Sequence, residues 1–357
     1  MRNQFAVATF NLLNFHDAQT PFYDKEGYTV AQYNQKCDWI AHQLDNLDAD
    51  IVGFQEVWSE RALVDAVRRS SKMSGAQVVT APSAGLGNKL PRVGIVSRLP
   101  LVGAVESIQE IPASLALDLP GPVQANLPFE PRKHALFSRP ILRARLNLSA
   151  AHDEPQILTV FVLHLKSKRP NAYEVVVNGE TLKENLDDAA TAARASLRSL
   201  IMRGIEAAAV RALVLETISH TNTPTLVLGD FNDSADSVTT EIITGRSAPF
   251  DKAGRDTTLF NAADLTYRHK MTRDVTYSHV HQDDPGTLDH VLVSEEFLPN
   301  SKFGQFVVQK VDYFNDHLND RDPLTSDHGV VRVKFRSNLV TGLAQAQVVA
   351  VASVTGK

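Results

Sequence analysis

Cysteine is almost absent. Cys37 is the single one in 357 residues, so no disulfide can form within the chain and no zinc site can rest on thiolates. Long apolar runs are missing too, and no stretch is long enough to span a bilayer. The N-terminus, Met1-Arg2-Asn3-Gln4-Phe5, enters a strand-like run without the charged, apolar and small-residue regions of a secretion signal. The chain as given reads as cytoplasmic, or as secreted if a signal peptide has been removed. The net charge of -5 shows no global basic field. That speaks against a protein that coats nucleic acid but leaves room for an enzyme that touches DNA locally. There is no internal repeat and no charge block.

What is present is organised around Thr225 to Asp233 (TLVLGDFND). Its apolar run is too short for a buried helix and rich enough in Leu and Val for a buried strand. Gly229 permits a tight turn. Asp230 and Asn232 follow with period two, so at the strand's end they point the same way. A carboxylate and a carboxamide at the C-terminal end of a buried strand suit a cleft that holds a hard cation or orients a water. The motif alone is weak, because many strands end in Gly-Asp closed by an Asx-turn.

Other strands end in similar chemistry. Phe5 to Leu13 alternates and carries Asn11. Cys37, Ile40, Ala41, Leu44 and Leu47 have helical spacing, with Cys37 as core filler. Asp50 to Val57 is a second buried strand ending in Gln55-Glu56, and Ser59 caps a helix over 60–69. Val93 to Leu101 begins a strand that ends in a proline turn and leads to another strand through Ile108, and further strands follow at about 135–148 and 157–165, the last carrying His164. The proline-rich segment 112–131 is a loop. Residues 186–218 form an alanine-rich helix, with Gly204 the one place for a kink. Asp289 lies near the start of a strand over 286–294, and Ser326-Asp327-His328 precedes a strand over 329–335. Many strands with few covering helices predict two sheets packed on each other, with helices outside. Motifs spread from Asn11 to His328 require one domain with one cleft.

Taken singly, each of these polar residues has an ordinary structural explanation. Glu56 could cap the helix after it, and His164 could be a satisfied histidine at a strand end. As a set, each at the end of an apolar run, they are improbable by chance. Glu56, Asp230 and Asp327 offer hard oxygen ligands and Asn11 and Asn232 neutral ones, so the expected ion is Mg²⁺ or Mn²⁺. A carboxylate beside a histidine raises its pKa and fixes its tautomer. Such a cleft can activate water and stabilise charge developing on a phosphoryl group.

These residues resemble the endonuclease/exonuclease/phosphatase superfamily, which includes DNase I, exonuclease III and the inositol polyphosphate 5-phosphatases. Its motifs match in order over about residues 5 to 336: Thr9-Phe10-Asn11, Gln55-Glu56, Arg98 in an Ile-Val-Ser-Arg-x-Pro run, His164, Gly229-Asp230-Phe231-Asn232, Leu288-Asp289-His290 and Ser326-Asp327-His328. The resemblance implies a DNase I-like four-layer α/β sandwich: two mixed sheets face to face with helices outside. It implies that Glu56 is the principal metal ligand, with Asn11 and Asp327 close by. Asp230 and Asn232 resemble the pair that orients or deprotonates the attacking water and holds a phosphate oxygen. His328 resembles the essential histidine, Asp289 the carboxylate that orients it, and His164 the histidine that donates to the phosphate or the leaving group. Arg139 is similar to a phosphate-contacting arginine of the DNase I branch. Whether Asp230 or His328 acts as base stays open.

Thr-Leu-Asp-His-Val-Leu-Val-Ser around Asp289 and His-Leu-Lys-Ser-Lys after His164 resemble bacterial nucleases of the superfamily. The signatures of the exonuclease III repair branch and of the 5-phosphatases are missing. Lys166, Lys168 and Arg169, and a second basic cluster of Arg268, Lys270 and Arg273, either bind phosphates flanking the scissile one or are solvated surface. The expected substrate is nucleic acid, with a small or lipid phosphoester as the alternative. A binding protein that has lost catalysis is disfavoured, because every motif residue is present. The expected domain covers 1–338, with a helical insertion at about 173–218 that either narrows the cleft or serves as a dimer face. The tail, 339–357, has no assigned role.

Overall fold

The computed structural model describes residues 3–23, 25–82, 90–124, 127–149, 155–245, 256–266, 276–320 and 322–338. The tail and the Arg268, Lys270 and Arg273 cluster lie outside the described residues. In chain order the first elements are β1 (Gln4–Phe15), α1 (Val30–Leu47), β2 (Ile51–Val57), α2 (Glu60–Arg69), β3 (Gln77–Thr80), β4 (Arg92–Ser97) and β5 (Glu106–Glu110). Next come β6 (Leu117–Asp118), β7 (Lys133–His134), β8 (Leu136–Asn147), β9 (Ile157–His164), β10 (Glu174–Val177), β11 (Glu180–Lys183), α3 (Ala189–Ile218) and β12 (Thr225–Asp230). The last are α4 (Val238–Thr244), β13 (Phe260–Asn261), α5 (Ala262–Leu265), β14 (His279–His281), β15 (Asp284–Gly286), β16 (Asp289–Val293), β17 (Phe306–Phe314) and β18 (Val330–Ser337).

Two six-stranded sheets result, in the orders β17-β18-β1-β2-β4-β3 and β13-β16-β12-β9-β8-β5. Each contains one parallel pair, β1 with β2 and β9 with β12. A parallel pair needs a crossover connection, and α1 and α3 lie in those connections. Alternation along the strands sorts the layers. Phe5, Val7 and Ile51 from the first sheet meet Leu158, Val160, Val162, Leu226, Leu228, Val291 and Val293 from the second in the inter-sheet core. The opposite faces carry Ala8, Phe10, Val52 and Phe54 against Cys37, Ile40, Leu44 and Leu63 of α1 and α2. On the other side, Phe161, Leu163 and Val227 pack against Ile205, Val210 and Val214 of α3. This is the four-layer DNase I-like α/β sandwich.

One expectation needs revision. The alanine-rich helix runs unbroken through Gly204. Its second half is the crossover that covers the second sheet, so the stretch expected as an insertion contains a core layer of the fold. What projects from the sandwich is the β10–β11 hairpin, whose Tyr173 and Val175 form a small separate cluster with Leu127. Buried Arg198 of α3 anchors it, making two 2.8 Å bonds to Glu184. No helix among the described residues is long and apolar enough to cross a membrane.

Candidate active site

Parity explains which side chains reach the cleft. Asn11 follows Phe5 and Val7 on the inter-sheet face of β1. His164 follows Val160 and Val162, Asp230 follows Leu226 and Leu228, and Asp289 precedes Val291. At one end of the sandwich the apolar inter-sheet side chains give way to polar ones, and all four are buried. Gly229 lets β12 lie close to β9: a Cβ there would stand 2.0 Å from the Leu163 carbonyl oxygen.

Asp230 is the hub. Its Oδ2 accepts from Asn11 Nδ2 at 3.2 Å, lies 3.3 Å from His164 Nε2 and 3.8 Å from His328 Nε2. Its Oδ1 accepts the Asn232 amide at 2.8 Å. Asp289 Oδ2 holds His328 Nδ1 at 2.8 Å. The turn that carries His328 is pinned by Ser326, whose Oγ donates to the Asn11 carbonyl at 2.6 Å and accepts the His328 amide at 3.0 Å.

Charges follow from these contacts. Burial works against an imidazolium at His328, but Asp289 and Asp230 outweigh it and hold the pKa well above the usual histidine value. Burial raises the Asp230 pKa; His328 opposes this and Asp289 adds to it. His164 is pushed well down by burial, then by Arg139 and His328, and is neutral at pH 7. One charged and one neutral histidine thus flank one carboxylate.

Strand alternation does not extend to Glu56 and Asn232. Both have positive φ, 59° and 53°, as do Leu13 and Asn14 at 51°. By alternation Gln55 takes the inter-sheet position, where its Oε1 accepts from Thr9 Oγ1 at 3.1 Å. Glu56 leaves the strand register, and its Oε2 accepts the Asn14 amide at 2.8 Å. The Asn232 amide stays beside the Asp230 carboxylate, but its side chain does not continue the strand's period two and Nδ2 instead donates to the Leu165 carbonyl at 2.9 Å. Backbone outliers at a polar cleft are a common mark of a functional site.

Glu56 and Asp327 both act on the charge of one lysine, Lys36, and with Asn11 they are the residues expected to hold the metal. Asp327 is exposed. Buried Lys36 donates to the Leu13 and Thr325 carbonyls at 3.1 Å each. Burial lowers its pKa to about 8, with Asp327 and Glu56 opposing, so a cation backs both carboxylates. Two carboxylates and a carboxamide oxygen fit a hard divalent ion. Two buried atoms of the cluster, His164 Nδ1 and Asp289 Oδ1, have no hydrogen-bond partner.

Arg139 and Lys166 lie close together just past the end of β9. Arg139 donates to the same Leu165 carbonyl as Asn232, at 3.1 Å. The Lys166 pKa is lowered to about 8, by burial and then by Arg139. Arg98, although part of a matched motif, pairs with Asp48 and Asp50 before the start of β2 and stands apart from this cluster.

Three residues at the site went unnoticed in the sequence. Glu206, fully buried on α3, accepts from the Lys166 amide at 2.7 Å and from the Ser138 amide at 2.9 Å. Arg203 donates to the Lys166 carbonyl at 3.2 Å. His279 lies with its ring centroid 4.8 Å from that of His328. A lone Glu within the apolar run of α3 was a readable signal; His279 had none.

The model of the Endonuclease/Exonuclease/phosphatase family matches residues 8–328. No curated protein matches the sequence. Among solved structures, an endonuclease/exonuclease/phosphatase from Bacteroides vulgatus superposes with a TM-score of 0.55 at 14% identity, covering 94% of this chain and 100% of its own. ANGEL2, a 2',3'-cyclic phosphatase bound to adenosine-2',3'-vanadate, gives 0.55 at 13% identity, with 94% and 96% covered. D. rerio TDP2 with a single-strand DNA product gives 0.52 at 11% identity, with 93% and 99% covered. At these identities the likeness concerns the fold.

Proposed function

Because the chain belongs to the endonuclease/exonuclease/phosphatase family, whose members are phosphoester hydrolases, we propose that it is a Mg²⁺-dependent phosphodiesterase acting on nucleic acid. The observation that carries this reading is the Asp230 hub, with Asn11, His164 and the Asp289-held His328 converging on one buried carboxylate. A divalent ion held by Glu56, Asn11 and Asp327 would supply Lewis-acid stabilisation of the phosphoryl oxygens. Asp230 orients the attacking water, with Asn232 held beside it by the 2.8 Å amide contact. His328, kept protonated by its two carboxylates, offers a hydrogen bond where negative charge develops. His164 keeps Nε2 turned to Asp230, and Arg139 and Lys166 meet the remaining phosphate oxygens. Lys168 and Arg169 continue the basic edge along a flanking backbone.

A second reading, hydrolysis of a small phosphoester, is favoured by one feature. A cleft of about 630 Å³ beside Asp327, lined by Leu13, Tyr277, Val280, Leu318 and Pro323, has the size of a small-molecule site.

Digestion of supercoiled plasmid with Mg²⁺, beside the His328→Ala variant and a chelator control, tests the first reading. The wild type should nick the plasmid, and both the variant and chelation should cut the rate by about two or more orders of magnitude. Wild-type rates in a folded His328→Ala variant would remove His328 from the mechanism. No nicking by the wild type would shift the case to small phosphoesters.

A further inference from the structure

We propose that His279, Asp327 and His328 form a second, nitrogen-rich metal site that takes Zn²⁺ and, when filled, shuts off turnover. One ligand atom from each of the three lies within 4.8 Å of the others. The backbone segments that carry the three residues are held together. His279 pairs with His328 through an isolated antiparallel bridge, and the Gly329 amide donates to the Ser278 carbonyl at 2.7 Å. The β14–β15 hairpin is thereby fixed to the turn that carries Asp327 and His328.

The chemistry of the three ligands differs from that of the oxygen site. His328 Nδ1 is engaged by Asp289 at 2.8 Å, which leaves Nε2 for a metal. A carboxylate on the far nitrogen is the usual support of a metal-bound imidazole. Two imidazoles, one carboxylate and an open position suit Zn²⁺, whereas Mg²⁺ prefers oxygen donors. Ligands around tetrahedral Zn²⁺ stand roughly 3.4 Å apart. Exposed Asp327 and half-buried His279 have the freedom to close the difference by side-chain rotation. Binding occupies His328 Nε2 and Asp327 together, so one ion takes both the essential histidine and a Mg²⁺ ligand out of play.

The inhibitory consequence rests on the function proposed above; the binding does not. Calorimetric titration of the full chain with ZnCl₂ in excess Mg²⁺ tests the binding directly. His279→Gln and His279→Ala should each weaken one Zn²⁺ event by about tenfold or more. In the plasmid assay both variants should need at least about tenfold more Zn²⁺ for half-inhibition, each measured relative to its own rate in Mg²⁺ alone. Unchanged Zn²⁺ affinity in both variants overturns the site. Zn²⁺ that binds through His279 yet leaves nicking untouched, or stimulates it, overturns the inhibitory role. If the wild type nicks no DNA, the nuclease reading fails while calorimetry still decides the site.

Discussion

Asp289 of β16 and His328, in the turn before β18, are joined by a 2.8 Å hydrogen bond between Oδ2 and Nδ1 that links the two sheets across the cleft. The pair fixes the His328 ring and favours its charged form. Asp289→Asn keeps the shape but removes the charge and permits the wrong tautomer. Turnover should fall by about two to four orders of magnitude with KM little changed. The Asp289 amide stays anchored to Ser278 Oγ at 3.1 Å, but His328 loses a buried counter-charge, so the melting temperature should fall while the fold is retained. Steady-state kinetics beside a thermal melt checks this. A large loss of stability with kcat preserved would make Asp289 a structural residue only.

Much of this centre was legible because period two carries information as far as a strand runs. Asn11, His164, Asp230 and Asp289 each share a face with apolar neighbours, and the core that those neighbours build delivers them to one cleft. Legibility ended where the backbone left that period. Positive φ at Glu56 and Asn232 redirects both side chains, and no count of alternation reports it. The β10–β11 hairpin has a readable signal: Asn178-Gly179 after a Val-rich run is a two-residue turn, and both residues have positive φ. β17 has a different cause. It is an edge strand of mixed polarity, FVVQKVDYF, half-exposed along most of its length, and only its pairing with β18 makes it a strand.

Glu206 connects acidity to the phosphate-binding edge. Burial disfavours its charge, but hydrogen bonds from His134 and Ser138 outweigh this and lower its pKa. A carboxylate whose folded pKa lies below its unfolded value stabilises the fold above the unfolded pKa, and that stability is lost as pH falls through the folded value. Wild-type protein should therefore lose melting temperature as pH is taken from about 5 downward. Glu206→Gln should be less stable by about 1–3 kcal/mol at pH 7 and should show a shallower acid slope. Because Glu206 also holds the Lys166 amide, the variant should bind phosphate more weakly, with a raised KM. Thermal melts over a pH series decide it: parallel slopes for the two proteins would exclude Glu206 as the titrating group.

Arg198 tests how far the β10–β11 projection depends on the sandwich. Its guanidinium donates to both Glu184 oxygens, to the Pro120 and Gly121 carbonyls and to the Asn171 carbonyl. Glu184 in turn accepts the Tyr173 amide at 2.8 Å, so one ion pair joins the proline-rich loop, the hairpin and α3. Removing one partner of a buried pair strands the other without compensation, at a cost of about 3–5 kcal/mol. The second half of α3 keeps its own packing against Phe161, Leu163 and Val227, so the damage should stay local. Arg198→Met should make the chain near residues 120–124 and 174–183 open to limited proteolysis, while the sandwich stays folded and the Asp230 hub intact. Restoring complementarity with Arg198→Met and Glu184→Leu together should recover most of the protection, since a well-packed apolar pair can replace a buried ion pair. Proteolytic mapping of the three proteins provides the measurement. Cleavage spread evenly through α3 and β12 would show that the projection and the sandwich unfold as one unit.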